Sequence, residues 1–172
     1  RAMVARAAEE CDLVILNAGS SAGREDYSAR VIRELGEVLY HGIAMKPGKP
    51  AILGCQGAKP ILGVPGYPVS SIIVIEQLLK PLIDHWLKTS GQQNQYAKAI
   101  LTRPVVSGLK YEEFVRVRMG YVGDKLMASP LSRGSGVVSS FMKADGILEV
   151  PQGVEGYEAG SEVTVRLLSP VE

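Results

Sequence analysis

Apolar positions along the chain change their period several times, and each change marks an element. Residues Ala2 to Glu10 (AMVARAAEE) mix small apolar residues with acids and predict helical turns. Asp12 to Leu16 (DLVIL) is a short unbroken apolar run, which predicts a strand covered on both faces. Small and polar residues from Asn17 to Asp26 (NAGSSAGRED) follow. Val31, Ile32 and Leu35 then share one helical face, with Gly36 placed as a C-terminal cap. Strand patterns return at Glu37–Ile43, Ala51–Cys55 and Ile61–Val64, the last two joined by a tight hairpin through Gly57. From Pro68 to about Lys88, the spacing of Ile72, Ile75, Leu78, Leu79, Leu82 and Ile83 predicts one long helix bent at Pro81.

Past Thr89 the pattern becomes short and alternating. A polar stretch, Ser90 to Gln95, reads as a linker. The β-type runs beyond it are Ala99–Arg103, Glu113–Val122, Lys125–Ala128, Gly146–Val150 and Val163–Leu168, with turn signals at Val122–Lys125 and Pro151–Val154. In Phe114–Gly120 (FVRVRMG) the alternation puts Arg116 and Arg118 on one face, opposite Val115 and Val117; solvated strand arginines are the expectation. The fold class is therefore α/β followed by a small all-β barrel-like domain, a half-open barrel, with the division at 1–92 and 93–172.

Composition narrows the functional classes. Hydrophobic residues make up 46% and charged residues 22%, as in a soluble globular protein, and the formal net charge is only +1. With no long basic run, neither nucleic acid nor a membrane surface is an expected partner. The most apolar stretch, Val69 to Ile83, is interrupted by Glu76, Gln77 and Lys80 and is too short to span a bilayer. Cys11 and Cys55 match no metal or redox spacing, so reduced thiols in a cytoplasmic protein are expected. The chain opens at Arg1 directly into helical sequence and reads as a piece of something longer.

The candidate chemistry lies in three loops. In Lys46-Pro-Gly-Lys-Pro50 two lysines sit on a backbone stiffened by two prolines and turned at a glycine. Two ammonium groups held close suit a bound oxyanion; a plain turn between strands is the alternative. The Asn17–Asp26 loop stands between a strand and a helix, where backbone amides and a helix N-terminus favour phosphate, or where Ser and Asp simply cap. Pro65-Gly-Tyr-Pro-Val-Ser-Ser71 repeats that arrangement, with Pro68 marking the helix start. In an open α/β sheet such loops gather at the carboxyl edge, where ligands bind.

Taken in order, these residues resemble the C-terminal half of the molybdenum insertases, the MoeA and gephyrin E-domain family. The likeness rests on the small-residue loop ending in Asp26, Leu35-Gly-Glu, Met45 to Pro50 (MKPGKP), Pro65-Gly-Tyr-Pro-Val-Ser70, and Gly156 to Val163 (GYEAGSEV). It implies an incomplete MoeA/MogA-like molybdopterin-binding domain followed by the family's C-terminal β-barrel domain. It further implies insertion of molybdate into molybdopterin adenylate with release of AMP, with a divalent cation such as Mg2+. By the same likeness Asp26, Lys46 and Lys49 are the catalytic candidates, with Asp26 supporting the metal. The substrate-binding candidates are Gly19, Ser20, Ser21, Gly23, Gly48, Pro50, Gly66, Tyr67, Pro68, Ser70, Arg116 and Ser135.

The match has departures. Asn17-Ala-Gly-Ser-Ser21 stands where the family has a Ser/Thr-Gly-Gly run, and Tyr67 stands where it has Asn. A phenol can donate one hydrogen bond and stack on a pterin, but lacks the amide's donor–acceptor pair. Members of the family are dimers with sites built from both subunits. The resemblance thus implies a homo-oligomer, and a fragment holding part of a site with little turnover of its own. Two other readings stand beside it: a non-catalytic pterin- or nucleotide-binding domain, and a protein-interaction scaffold of the gephyrin E type.

Overall fold

The computed structural model describes residues 1–17, 27–89, 94–134 and 138–168. The chain divides into two units, one formed by Arg1–Ile43 with Gly48–Leu87, the other by Ala44–Pro47 with Lys88–Glu172.

The first unit is built on a four-stranded sheet. Its strands are β1 (Val14–Asn17), β2 (Glu37–His41), β4 (Ile52–Gln56) and β5 (Lys59–Val64), in the order β1-β5-β4-β2. β1 runs parallel to β5, β4 is antiparallel to β5, and β2 is antiparallel to β4. β1, β5 and β2 therefore all point the same way and end at one edge of the sheet. Helices α1 (Ala2–Glu10) and α2 (Tyr27–Leu35) cover one face, where Ala8, Ala29 and Ile32 meet Val14, Ile52 and Ile61 in a common core. α2 lies close because Gly54 has no side chain: a Cβ there would stand 2.4 Å from Ile32 Cγ2. Lys59 Nζ donates to the carbonyls of Ala8 and Glu9 at 2.6 and 2.9 Å, satisfying groups that the end of α1 leaves open.

Three sequence expectations are corrected in this unit. β1 is an edge strand, and Ile15 on it is 41% exposed, so its apolar run does not mark burial on both faces. The strand expected over Glu37–Ile43 ends at His41. The long helix is α3 (Pro68–Val74), a π-helical turn at Ile75–Leu79 and α4 (Lys80–Leu87). Pro81 has no N–H to give the carbonyl four residues back, and the wider turn lies just upstream, where the Lys80 N–H reaches the Ile75 carbonyl. The hairpin at Gly57 is as expected, with Gln56 paired to Lys59 and Gly57 at φ +60°.

The second unit is a closed barrel. β6 (Tyr96–Leu101), β8 (Glu112–Val122), β9 (Lys125–Pro130), β10 (Gly146–Val150) and β12 (Glu162–Leu167) form the ring β8-β10-β12-β6-β9 and back to β8. The expected half-open barrel is thus closed. β8 makes this possible by its length: residues 113–117 pair with β10 and 117–122 with β9. The inside is filled by Leu101, Val105, Val115, Val117, Ala128, Leu148, Val150, Val163 and Val165. A two-residue strand, β3 (Met45–Lys46), adds to the start of β8 in parallel, Met45 opposite Glu112 and Lys46 opposite Glu113. β7 (Val105–Val106) and β11 (Gly156–Tyr157) form a small separate ribbon. The short helix α5 (Val138–Met142) follows β9. Among the described residues no helix is long and apolar enough to cross a membrane.

Candidate functional site

The chemistry of the barrel unit gathers where β3 joins β8. A pocket of about 290 Å3 is lined by Lys46, Pro47, Glu113, Phe114, Val115, Arg116, Leu131 and Arg133. β3 brings Lys46 to the start of β8, and the segment after β9 brings Leu131 and Arg133. That segment is tied back to β8, since the Leu131 N–H donates to the Arg116 carbonyl at 2.9 Å.

Arg116 differs from the solvated arginine expected at its position. It is 4% exposed, whereas Arg118 two residues on faces solvent. Its Nη2 donates to the carbonyls of Ser132 and Gly134, at 2.5 and 3.1 Å. Its Nε and Nη1 are buried and have no hydrogen-bond partner among the described residues. Burial pushes the guanidinium pKa down from its usual value, because desolvation disfavours the charged form. A buried cation with two open donor nitrogens beside a pocket can take hydrogen bonds to an acceptor placed there.

Glu113, Tyr111 and Arg133 belong to the same cluster. The Glu113 side chain is nearly buried at 7% exposure. Its Oε1 stands 3.6 Å from Lys46 Nζ and accepts from the Gly108 N–H at 3.4 Å, while its Oε2 pairs with Arg133 Nη1 at 3.2 Å. Lys46 Nζ also sits over the Tyr111 ring, 4.3 Å from its centroid, so a cation–π contact helps to fix it. Sequence reading passed over these three residues. The available signal was parity: Glu113 shares the inward face of Val115 and Val117, an uncommon place for a carboxylate unless it is paired.

The remaining candidates fall elsewhere. Gly48, Lys49, Pro50, Gly66, Tyr67, Pro68 and Ser70 lie in the α/β unit, so the chain passes from one unit to the other between Lys46 and Lys49. In the turn after β2, the Ile43 N–H donates to the Lys49 carbonyl at 2.9 Å and the Ala51 N–H to that of Gly48 at 3.0 Å. After β5, Pro68 opens α3, Ser70 is buried, Tyr67 is 58% exposed, and Ser71 Oγ bonds the Pro65 carbonyl. Asn17 and Val64 are paired, so β1 and β5 end side by side. Gly19, Ser20, Ser21, Gly23, Asp26 and Ser135 lie outside the described residues. Among the described residues no three His, Cys, Asp or Glu side chains are grouped to hold a metal ion.

The sequence matches two family descriptions in succession. Residues 1–85 match a probable molybdopterin binding domain, and residues 98–168 match the MoeA C-terminal region, domain IV. The chain belongs to the MoeA family. It is 34% identical over 162 residues to a putative molybdopterin biosynthesis protein of Methanocaldococcus jannaschii, covering 94% of this chain and 38% of that one. It is 30% identical over 169 residues to the molybdopterin molybdenumtransferase of Bacillus subtilis, covering 97% and 39%. A solved molybdopterin biosynthesis MoeA protein from Pyrococcus horikoshii superposes with a TM-score of 0.78 at 38% identity, over 98% of this chain and 40% of that one. The chain thus spans about two fifths of the length of these relatives.

Proposed function

We propose that this chain supplies an oxyanion-binding part of a molybdenum-inserting transferase acting in molybdenum cofactor biosynthesis. The reaction of the whole protein would place molybdate on adenylated molybdopterin and release AMP. One observation carries the reading: buried Arg116 leaves Nε and Nη1 unpartnered beside a pocket that also holds Lys46 and Arg133. Molybdate is a tetrahedral dianion, and charge-assisted donors on several sides are what such an ion requires. Relatives named molybdopterin molybdenumtransferase support the assignment to this chemistry.

Arg116 would anchor the oxyanion through its two open donor nitrogens, and Lys46 would oppose it as a point charge held by Tyr111 and Glu113. On the α/β side, β1, β5 and β2 end at one sheet edge, the edge from which the turns after β5 and β2 leave. Gly66, Tyr67, Pro68, Ser70 and Lys49 are the residues we assign there to the pterin phosphate. Asp26 is proposed as the essential carboxylate. Asp26 would also support a divalent cation such as Mg2+; it lies outside the described residues, among which no three His, Cys, Asp or Glu side chains are grouped to hold a metal.

Titration calorimetry with sodium molybdate tests the binding step. The chain should bind molybdate weakly, and Lys46→Ala and Arg116→Met should each abolish that binding; equal binding by both variants would overturn the assignment. In the longer parent protein, Asp26→Asn or Lys49→Ala should stop molybdate-dependent AMP release with the fold intact. We also expect the chain to self-associate, which light scattering at high concentration would check.

A further inference from the structure

We propose that Glu113 limits the affinity of the pocket, as an internal counter-ion with which an incoming oxyanion must compete. The inference rests on the oxyanion reading above and deepens it. Both carboxylate oxygens are engaged: Oε1 with Lys46 and the Gly108 N–H, Oε2 with Arg133. The two cations a tetrahedral oxyanion would use are therefore already paired with a built-in anion. Arg116 Nε and Nη1 are the pocket's buried donors that have no partner among the described residues. Three cations and one carboxylate line the pocket, a net charge of +2, which matches a dianion.

Two consequences follow from this geometry. A carboxylate on the pocket wall repels the ligand and holds back two of its partners, so the anion is bound weakly and can be passed on. The same carboxylate fixes Lys46 against Tyr111, so the ammonium is oriented before any ligand arrives. Lys46 and Arg133 are 47% and 50% exposed, so removing the carboxylate leaves both cations hydrated and does not strand a buried charge. The variant is therefore expected to fold.

The test is calorimetric titration of the full chain and of Glu113→Gln with sodium molybdate and sodium tungstate at low ionic strength. Glu113→Gln should bind both dianions at least about fivefold more tightly, and the gain should shrink as salt is raised. Glu113→Asp, which keeps the charge, should stay near the parent. Affinity in Glu113→Gln that is unchanged or weaker, while Arg116→Met still abolishes binding, would overturn this inference and leave the oxyanion reading standing. Absence of binding in both the parent and Glu113→Gln would overturn both. A purely structural role for Glu113 would appear as lost stability with no salt-dependent gain in affinity.

Discussion

Replacing Arg116 by Met separates what this residue does for the fold from what it does for a ligand. In the folded chain it gives two hydrogen bonds from Nη2 to the Ser132 and Gly134 carbonyls. Bonds involving a charged group contribute about 1.5–3 kcal/mol each. Against them stand two buried donor nitrogens with no partner among the described residues, each costing about 1–3 kcal/mol, and the desolvation that lowers the pKa. Ser132 and Gly134 are exposed, so water can replace the lost donors at their carbonyls. Gain and loss are of the same size, and Met fills much of the same space. The stability of Arg116→Met should lie within about 2 kcal/mol of the parent, a shift in midpoint of no more than about 8 °C for a chain of this length. Molybdate affinity should fall at least tenfold, since about 1.4 kcal/mol of lost anion contact suffices for that. Thermal unfolding by circular dichroism, with and without molybdate, reads both quantities. Loss of the folded state, or destabilisation above about 3 kcal/mol, would show that Arg116 is held for structure and that its open donors are incidental.

Other substitutions test the frame around the site. Gly156→Ala should cost at least about 2 kcal/mol, because φ is +121° and a Cβ would stand 1.8 Å from the Val105 carbonyl oxygen. Gly153→Ala, with φ +87° and open space around it, should lose only the smaller conformational part; denaturant melts of the pair separate the two effects. Leu148→Ala removes a 1% exposed side chain from the barrel core and should cost about 2–5 kcal/mol by the same measurement. The Glu112 pKa is raised by partial desolvation at an otherwise exposed position and by the nearby Glu149 charge, so ionised Glu112 destabilises the folded chain. Glu112→Gln should therefore raise the melting temperature at neutral pH, and the difference should vanish as pH falls below the ordinary carboxylate range, where both states carry the proton.

Most elements were legible in the sequence because their signals are local. The Val31–Leu35 face, the Gly57 hairpin and the alternating runs of the barrel each depend on neighbours within a few residues; most appear where expected, while the run expected at Ala99–Arg103 is the strand Tyr96–Leu101. Closure of the barrel was not legible, since it depends on β8 pairing with β10 some thirty residues on and on the parallel pairing of β6 with β9. The burial of Arg116 was hidden for a related reason. Alternation places a side chain on a face, but whether that face is covered is decided by the Leu131–Gly134 segment folding back. Strand β3 has only two residues, too few to carry any period, so the pairing of Lys46 with Glu113 had no local signature.

The loan of Ala44–Pro47 from one unit to the other bears on how this protein can be dissected. A clone beginning at residue 88 would retain all five staves of the barrel yet lack Lys46, the ammonium beside its lone pocket carboxylate. A clone ending at residue 87 would keep that lysine with no β8 to dock it. Neither half is a clean module, and exchange of barrels between relatives must carry a four-residue graft from the middle of the preceding domain.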